Sequence, residues 1–316
     1  MHPSDYIQGL HHVTATVNDA REDYTFYTRV LGQRFIKETV NFDNEQVYHF
    51  YYGNRYGSPS TIFTTFPYKD QGVRPGRPGA GQVYETAWSI PEGSLTFWRE
   101  RLEGFGLDPE QQERFGRAIL TFKDPSGLHL ALIEDANDQR EPLWVAHGFT
   151  PAEASRGVHH VTLAIDDAEV PLTLRFLEEF GYRRVQTDGP YTLLEAGLGR
   201  AGNSLVVQSA GNMPRGVNGL GTVHHVAHRV ENTDESLQMK NWLESQYGLR
   251  VTQVMDRKYF RSIYFMIPGG VLFEIATASP GFLVDESDEE LGSELRLPDW
   301  QEPRRASIVA SLQPYR

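Results

Sequence analysis

Three pairs of adjacent histidines give this sequence its clearest chemical signal. Each pair precedes a short run of apolar and β-branched residues, and the pairs are His11-His12, His159-His160 and His224-His225. Neutral imidazole is a common protein ligand for divalent transition metals. The chain contains no cysteine, so thiolate ligands, cysteine nucleophiles and disulfides are excluded. A metal must therefore be bound by histidine, carboxylate or backbone oxygen.

Glu274 is the acidic residue with the best reason to join these histidines. It follows the tight turn at 268–270 and has apolar neighbours on both sides. Because alternate residues of a strand share one face, Glu274 is expected to project from the same small-to-apolar face as Leu272 and Ala276. An unpaired charge on such a face is costly unless it is neutralised. A divalent cation would remove this cost.

Two imidazoles and one carboxylate on one side of a metal leave open positions, which is typical of non-haem Fe(II) sites that bind substrate and O2 together. Mn2+, Zn2+ and Ni2+ accept the same donors. The identity of the second histidine depends on which repeats pair in space. Either His12 or His160 can complete a site with His225 and Glu274, and the periodicity of the sequence leaves both options open.

The histidine pairs mark the first strands of an internal repeat. Four copies are predicted, at approximate spans 9–68, 80–135, 157–210 and 221–278. In the second copy, Glu85 stands where the other copies have the second histidine. Each first strand is followed by polar residues able to cap a helix, by apolar residues at helical spacing and by a glycine. Strand-like stretches come next, so each copy predicts a βαβββ module.

This organisation predicts an α+β protein in which four βαβββ modules form two barrel-like domains. We expect an N-terminal domain over residues 1–145, with modules 1 and 2, and a C-terminal domain over 146–316, with modules 3 and 4 and an extension over 280–316. The acidic run Asp285–Glu294 is expected to be a solvated surface. Residues 298–316 are expected to form a short helix or strap on the outside.

Composition excludes several classes of partner. Forty-two acidic residues against 30 basic ones give a formal charge of -12, which repels nucleic acid and anionic membrane surfaces. No apolar run approaches the roughly 20 residues needed to cross a bilayer, and the first residues lack the pattern of a signal peptide. We therefore expect a cytoplasmic protein that binds neither nucleic acid nor membrane, with homo-oligomerisation left open.

Several short motifs resemble the vicinal oxygen chelate superfamily, whose members are built from βαβββ modules. The motifs are Gly9–Thr14, Gly32–Phe35, Thr64–Pro67, Arg114–Gly116, Asp256–Lys258 and Pro268–Glu274. Their order and spacing are similar to those of the hydroquinone-type ring-cleaving dioxygenases, and the likeness covers nearly the whole chain. It implies two vicinal-oxygen-chelate domains and Fe(II)-dependent insertion of O2 into a small hydroquinone-type or catechol-type aromatic substrate.

The resemblance also implies roles for individual residues. Fe(II) would be bound by His12, His225 and Glu274, which favours the pairing of modules 1 and 4 and leaves His160 as a remnant or a structural residue. The residues implied to act around the metal are His11, His224, Thr14, Tyr264 and Arg257. Lys258 and Arg261 are alternatives for the arginine, because the segment from Asp256 to Tyr264 is shorter than in the family.

Two other functions are compatible with the scaffold. A glyoxalase-like isomerase or lyase would use Zn2+ or Ni2+ to polarise a substrate oxygen, but such sites usually contain more carboxylates, and the last-strand register has a single glutamate. Glu85 keeps this alternative open. A non-catalytic protein that binds aromatic compounds has little reason to place Glu274 on an apolar face.

Overall fold

The computed structural model describes residues 3–199 and 201–316, and these form the four predicted βαβββ modules. Module 1 comprises β1 (Leu10–Val17), α1 (Ala20–Thr25) with a following π-helical turn (Phe26–Val30), β2 (Arg34–Asn41), β3 (Asn44–Gly53) and β4 (Ile62–Pro67). Module 2 comprises β5 (Gln82–Ile90), α2 (Leu95–Gly104), β6 (Glu110–Arg114), β7 (Arg117–Lys123) and β8 (His129–Glu134).

The second half of the chain repeats the same order of elements. Module 3 comprises β9 (Gly157–Ile165), α3 (Val170–Phe180), β10 (Tyr182–Asp188), β11 (Tyr191–Ala196) and β12 (Ser204–Ser209). Module 4 comprises β13 (Thr222–Val230), α4 (Thr233–Tyr247), β14 (Met255–Asp256), β15 (Arg261–Met266) and β16 (Leu272–Thr277). Short 3-10 turns at Pro3–Asp5, Phe282–Val284 and Glu302–Arg304 and the helix α5 (Arg305–Ser311) lie outside the modules. The predicted α+β class and module architecture are confirmed.

The helix ends agree in part with the expected capping. Asp19 and Asn232 cap α1 and α4, because their side chains accept hydrogen bonds from backbone N–H groups of the first turn. The residues that follow the other two first strands, Pro91-Glu92 and Asp166-Asp167, do not cap the next helices, since α2 begins after Ser94 and α3 after Glu169. None of the helices in the described residues is long and apolar enough to cross a bilayer.

The strands of the described chain form two eight-stranded sheets. Sheet 1 has the order β14-β15-β16-β13-β1-β4-β3-β2, and sheet 2 has the order β10-β11-β12-β9-β5-β8-β7-β6. Sheet 1 therefore joins module 4 to module 1, and sheet 2 joins module 3 to module 2. The grouping of modules by sequence order, 1–145 and 146–316, differs from this pairing, because the first strands β1 and β13 bond antiparallel in one sheet and β5 and β9 in the other.

Apolar and aromatic side chains hold the two sheets against each other. Phe63 of sheet 1 and Trp88 of sheet 2 are both buried, with ring centroids 5.2 Å apart. Tyr27, on the π-helical turn, stacks on Phe63 and donates a hydrogen bond to Asp124 of the β7–β8 turn, 3.2 Å away. This shared core fixes each sheet relative to the other, and the concave face of sheet 1 is left for the site described below.

The C-terminal extension packs on the outer strand β2. Lys37 of β2 is fully buried, and its Nζ contacts the carboxylates of Asp285, at 2.6 Å, and Glu286. The hydroxyl of Tyr315 donates to Glu38 Oε2 at 2.6 Å. The expectation of a solvated acidic run is wrong for Asp285 and Glu286, because a buried ammonium group requires buried or nearby carboxylates as partners.

Candidate metal centre

Three side chains from neighbouring central strands of sheet 1 converge on one point. His12 lies on β1, His225 on β13 and Glu274 on β16. Glu274 Oε2 is 2.8 Å from His225 Nε2 and 3.3 Å from His12 Nε2, and the two Nε2 atoms are 3.3 Å apart. All three potential ligand atoms lie within 4.8 Å of one another. The pairing of module 4 with module 1 thus brings together residues from opposite ends of the chain.

The pKa shifts of Glu274 and His225 suit the binding of a divalent cation. Burial alone would raise the pKa of the Glu274 carboxyl, but His12 and His225 outweigh burial and hold that pKa well below its ordinary value. Burial lowers the pKa of His225. An ionised carboxylate and neutral imidazole are the forms that bind metals.

Hydrogen bonding at Glu274 leaves one oxygen for a metal. Oε1 accepts a hydrogen bond from the Ser262 hydroxyl. Oε2 is buried and has no hydrogen-bond partner of acceptable geometry, although both Nε2 atoms are near it. A buried carboxylate oxygen of this kind is costly unless it is neutralised, so the donor set fits a bound metal ion.

The histidine that precedes each of these two imidazoles orients its ring. His11 Nδ1 lies 2.9 Å from His12 Nδ1, and His224 Nδ1 lies 2.8 Å from His225 Nδ1. Engaging Nδ1 in a hydrogen bond leaves Nε2 free to bind a metal. Burial lowers the pKa of His11 to about 3 and that of His224 to about 4, so both neighbours are neutral near pH 7.

A cavity of about 540 Å3 opens onto the three converging side chains. Its polar lining includes Thr14, His224, Arg257 and Tyr264, four of the residues singled out from the sequence. Phe42, Phe66 and Phe260 are among its aromatic lining residues. His11 does not line the cavity. It is 3 % exposed and contacts the Phe260 ring, which makes it a support for His12 and not a group that meets a bound molecule.

Arg257 is the basic residue that reaches the cavity. Its Nε donates to the Tyr264 hydroxyl at 3.2 Å, and its Nη2 donates to Asp43 Oδ2 at 3.0 Å. The two alternatives point elsewhere: Lys258 lies 3.6 Å from Asp285 in the C-terminal extension, and Arg261 is exposed. Burial raises the pKa of Tyr264, so its hydroxyl keeps its proton near neutral pH.

His49 and Tyr51 of β3 also line the cavity and were not identified from the sequence. His49 Nε2 is 2.8 Å from Thr64 Oγ1, which donates to Thr14 Oγ1 at 2.9 Å. The Tyr51 hydroxyl is 2.9 Å from His49 Nδ1. Strand alternation places residues 49 and 51 on the same face of β3. The sequence does not show that this face turns toward the candidate metal centre, so it does not identify these two residues.

His160 is not a member of the cluster. It lies on β9 of sheet 2, where His159 Nδ1 is 2.8 Å from its Nδ1, in the same arrangement as the other two pairs. The strand pairing, which the repeat pattern alone leaves open, therefore places His12 and not His160 beside His225 and Glu274.

Comparison with known proteins supplies the family. No protein-family model matches the chain. MhqE of Bacillus subtilis, whose name assigns it provisionally to the ring-cleaving dioxygenases, is 42% identical over 304 residues, covering 96% of this chain and 97% of MhqE. The chlorohydroquinone/hydroquinone 1,2-dioxygenase of Sphingobium indicum is 36% identical over 301 residues, covering 92% of this chain and 91% of that enzyme.

Solved structures agree with this assignment. A crystal structure of a provisionally assigned dioxygenase from Bacillus subtilis superposes with a TM-score of 0.91 at 38% identity, covering 98% of each chain. Glyoxalase I from Zea mays has a TM-score of 0.63 at 16% identity, covering 86% of this chain and 92% of that one, which shows a shared fold. The chain therefore belongs to the family of ring-cleaving dioxygenases to which these relatives are assigned, and it has the fold of glyoxalase I.

Proposed function

We propose that the protein is an Fe(II)-dependent dioxygenase that cleaves the ring of a hydroquinone-type substrate, with His12, His225 and Glu274 as the metal ligands. The observation that carries the proposal is the convergence of these three buried side chains at the wall of an aromatic-lined cavity. Two histidines and one carboxylate leave open coordination positions for a substrate oxygen and O2. Bound Fe(II) would supply electron transfer between them.

The contacts of the surrounding residues support the roles proposed for them. His224 and Tyr264 line the cavity beside His225, so they are the groups proposed to move protons to and from substrate oxygens. Arg257 holds the Tyr264 hydroxyl and places a positive charge at the cavity wall, where it favours an ionised phenol. Thr14 Oγ1 accepts a hydrogen bond from Thr64, which fixes the position of the Thr14 side chain. Thr14 is proposed to orient the bound ring.

The aromatic lining favours a planar substrate. Phe42, Phe66 and Phe260 offer apolar surface, and the Phe260 ring centre lies 5.1 Å from that of His12. A para-dihydroxylated ring can place one hydroxyl at the metal and its apolar edges against such phenylalanines. This combination of aromatic and polar lining supports a small aromatic substrate.

Anaerobic loading of the full chain with Fe(II), followed by O2 uptake and ultraviolet spectra with methylhydroquinone, chlorohydroquinone and catechol, tests the proposal. We expect O2 consumption and ring-opening spectra with at least one hydroquinone, and neither in the His225→Ala variant. No O2 consumption with any of the three compounds by an iron-loaded protein would refute the dioxygenase function and favour an isomerase, a lyase or a binding protein.

A further inference from the structure

The central strands of the two sheets are paired in the same register, so residues of one sheet can be matched to residues of the other. In sheet 1, His225 of β13 pairs with the residue two positions after His12. In sheet 2, Glu85 of β5 pairs with the residue two positions after His160. Glu85 therefore corresponds to His225, and His160 corresponds to His12.

The third ligand position is also identifiable in sheet 2. In sheet 1, the residue two positions after His225 pairs with Glu274. In sheet 2, the residue two positions after Glu85 pairs with Ala131 of β8. Sheet 2 thus retains two potential metal donors, the imidazole of His160 and the carboxylate of Glu85, and has a methyl group in place of the third.

A guanidinium group lies against the retained carboxylate. Arg114 Nη1 and Nη2 donate to the two oxygens of Glu85, the second at 3.1 Å, and the guanidinium lies 4.9 Å from the centre of the Tyr191 ring. Arg114 is only 8% exposed, and its Nε has no hydrogen-bond partner. A bidentate pair of this kind fixes the position of the charge.

Arg114 corresponds to Arg257 of sheet 1. Arg114 lies seven residues before Thr121, the partner of Ala131. Arg257 likewise lies seven residues before Tyr264, the partner of Glu274. The residue after each arginine has a positive φ, 55° in one case and 63° in the other. Equivalent positions therefore carry an arginine in both sheets. The arginine of sheet 1 lines the cavity, and the arginine of sheet 2 contacts Glu85.

We propose that the Arg114 guanidinium is a built-in cation that takes the place of the metal in sheet 2, so that the chain binds one metal ion, while His160 and Glu85 remain a latent ligand pair. The proposal rests on the proposed function only in that sheet 1 is the sheet that binds the metal. The charges of Arg114 and Glu85 cancel, and a divalent cation added beside the guanidinium would be repelled at short range in a buried site.

Two further features of His160 agree with this assignment. Its Nε2, the atom that corresponds to the metal-binding nitrogen of His12, is buried and has no hydrogen-bond partner. His12 lines the cavity of sheet 1, whereas His160 does not line the cavity of about 620 Å3 that contains Glu85 and Arg114. His160 instead lines a separate cavity of about 310 Å3 that contains neither Glu85 nor Arg114, so the two retained donors face different spaces and the guanidinium lies on the Glu85 side.

Counting bound Co2+ in a His225→Ala background tests the proposal, because this background reports on sheet 2 separately from sheet 1. Apo-protein is mixed with Co2+ without oxygen and desalted, and the metal per chain is measured by mass spectrometry and by visible absorption. We expect no Co2+ bound in sheet 2 of His225→Ala. Adding Arg114→Ala and Ala131→Glu should create binding of about one Co2+ per chain, and adding His160→Ala should abolish it.

Two outcomes overturn the proposal. The first is that the His225→Ala chain binds Co2+ and that His225→Ala/His160→Ala does not. Arg114 is unchanged in both chains, so this comparison does not depend on whether variants at position 114 fold. The other is a folded Arg114→Ala/Ala131→Glu chain, checked by circular dichroism, that gains no Co2+. The matched control is Arg114→Lys/Ala131→Glu in the same background. It keeps a positive charge at position 114 and should still exclude Co2+. If the wild-type chain bound no metal in sheet 1, the proposed function would be contradicted. The Co2+ content of the sheet 2 variants would still test the role of Arg114.

Discussion

The Tyr264 ring meets the His225 ring edge-on, with centroids 5.6 Å apart, and its hydroxyl accepts a hydrogen bond from Arg257. Tyr264 also pairs with Glu274 across β15 and β16. Tyr264 thus contacts one candidate metal ligand, His225, through its ring, pairs with a second, Glu274, between adjacent strands, and offers a protonated hydroxyl to the cavity.

Replacing Tyr264 should separate metal binding from catalysis. We expect Tyr264→Phe to retain Fe(II), because the ring contact with His225 remains, and to lower kcat by about 10²–10⁴-fold, the usual contribution of a positioned proton-transfer group. Iron content and O2 uptake on the same sample measure both effects. Wild-type turnover in Tyr264→Phe would mean that another group transfers the proton.

The two candidate histidines should differ in their effect on metal retention. His12→Ala removes one of three donors and is expected to lose Fe(II) on desalting, whereas His160→Ala lies on the other sheet and should keep it. The measurement is iron per chain after anaerobic loading. The reverse result would move the site to sheet 2, which contains His160.

Asp23 gives the protein a pH-dependent stability of defined sign. The buried carboxyl accepts hydrogen bonds from Tyr52 and Thr65, and burial raises its pKa to about 8 from the ordinary value of 3.8. The folded state therefore holds a proton that the unfolded state releases, so this contribution is fully present below the unfolded pKa and is lost as the pH rises toward 8. We expect wild type to lose stability relative to Asp23→Asn by about 1.4 kcal/mol per pH unit in that window.

Urea unfolding of wild type and Asp23→Asn at several pH values between 4 and about 9 measures this difference. Glu103→Gln, a neutralisation of an exposed carboxylate on α2, is the control and should follow wild type. A difference between wild type and Asp23→Asn that stays constant with pH would show that Asp23 is ionised in the folded protein.

Lys37 is expected to be essential for the docking of the C-terminal extension. Lys37→Met leaves Asp285 and Glu286 without their buried partner, and breaking a buried ion pair from one side costs about 3–5 kcal/mol. Urea unfolding measures the loss. Lys69→Met, which removes the exposed pair with Asp19, should change stability little. Equal effects of the two variants would contradict the structural role of Lys37.

The local structure could be predicted from the sequence because it depends on local patterns. Helical spacing, turn glycines and strand composition identified the four modules, and the alternation around Glu274 identified a carboxylate that needs a partner. The pairing of β1 with β13 could not be obtained in this way, because all four first strands have similar residues and could pair with one another. The resemblance to a family supplied that choice.

The features that were missed depend on contacts between distant segments. The residues around His49 predict only a strand, because the position of its side chain depends on which face of β3 turns toward β1 and on the hydrogen bond with Thr64. The acidic run around Glu286 predicts a solvated surface, because its partner Lys37 lies on β2, far away in the sequence. Neither contact has a signature in the sequence near it.

The pairing of the first module with the last determines when the active site can form during synthesis. Modules 2 and 3 are consecutive, so sheet 2 can assemble while module 4 is still being translated. Sheet 1 must wait for β16, and its closure joins strands separated by nearly the whole chain, which carries a larger loss of chain entropy. A nascent chain that lacks module 4 therefore carries His12 without His225 and Glu274, and the three-residue cluster can form only after β16 has been synthesised.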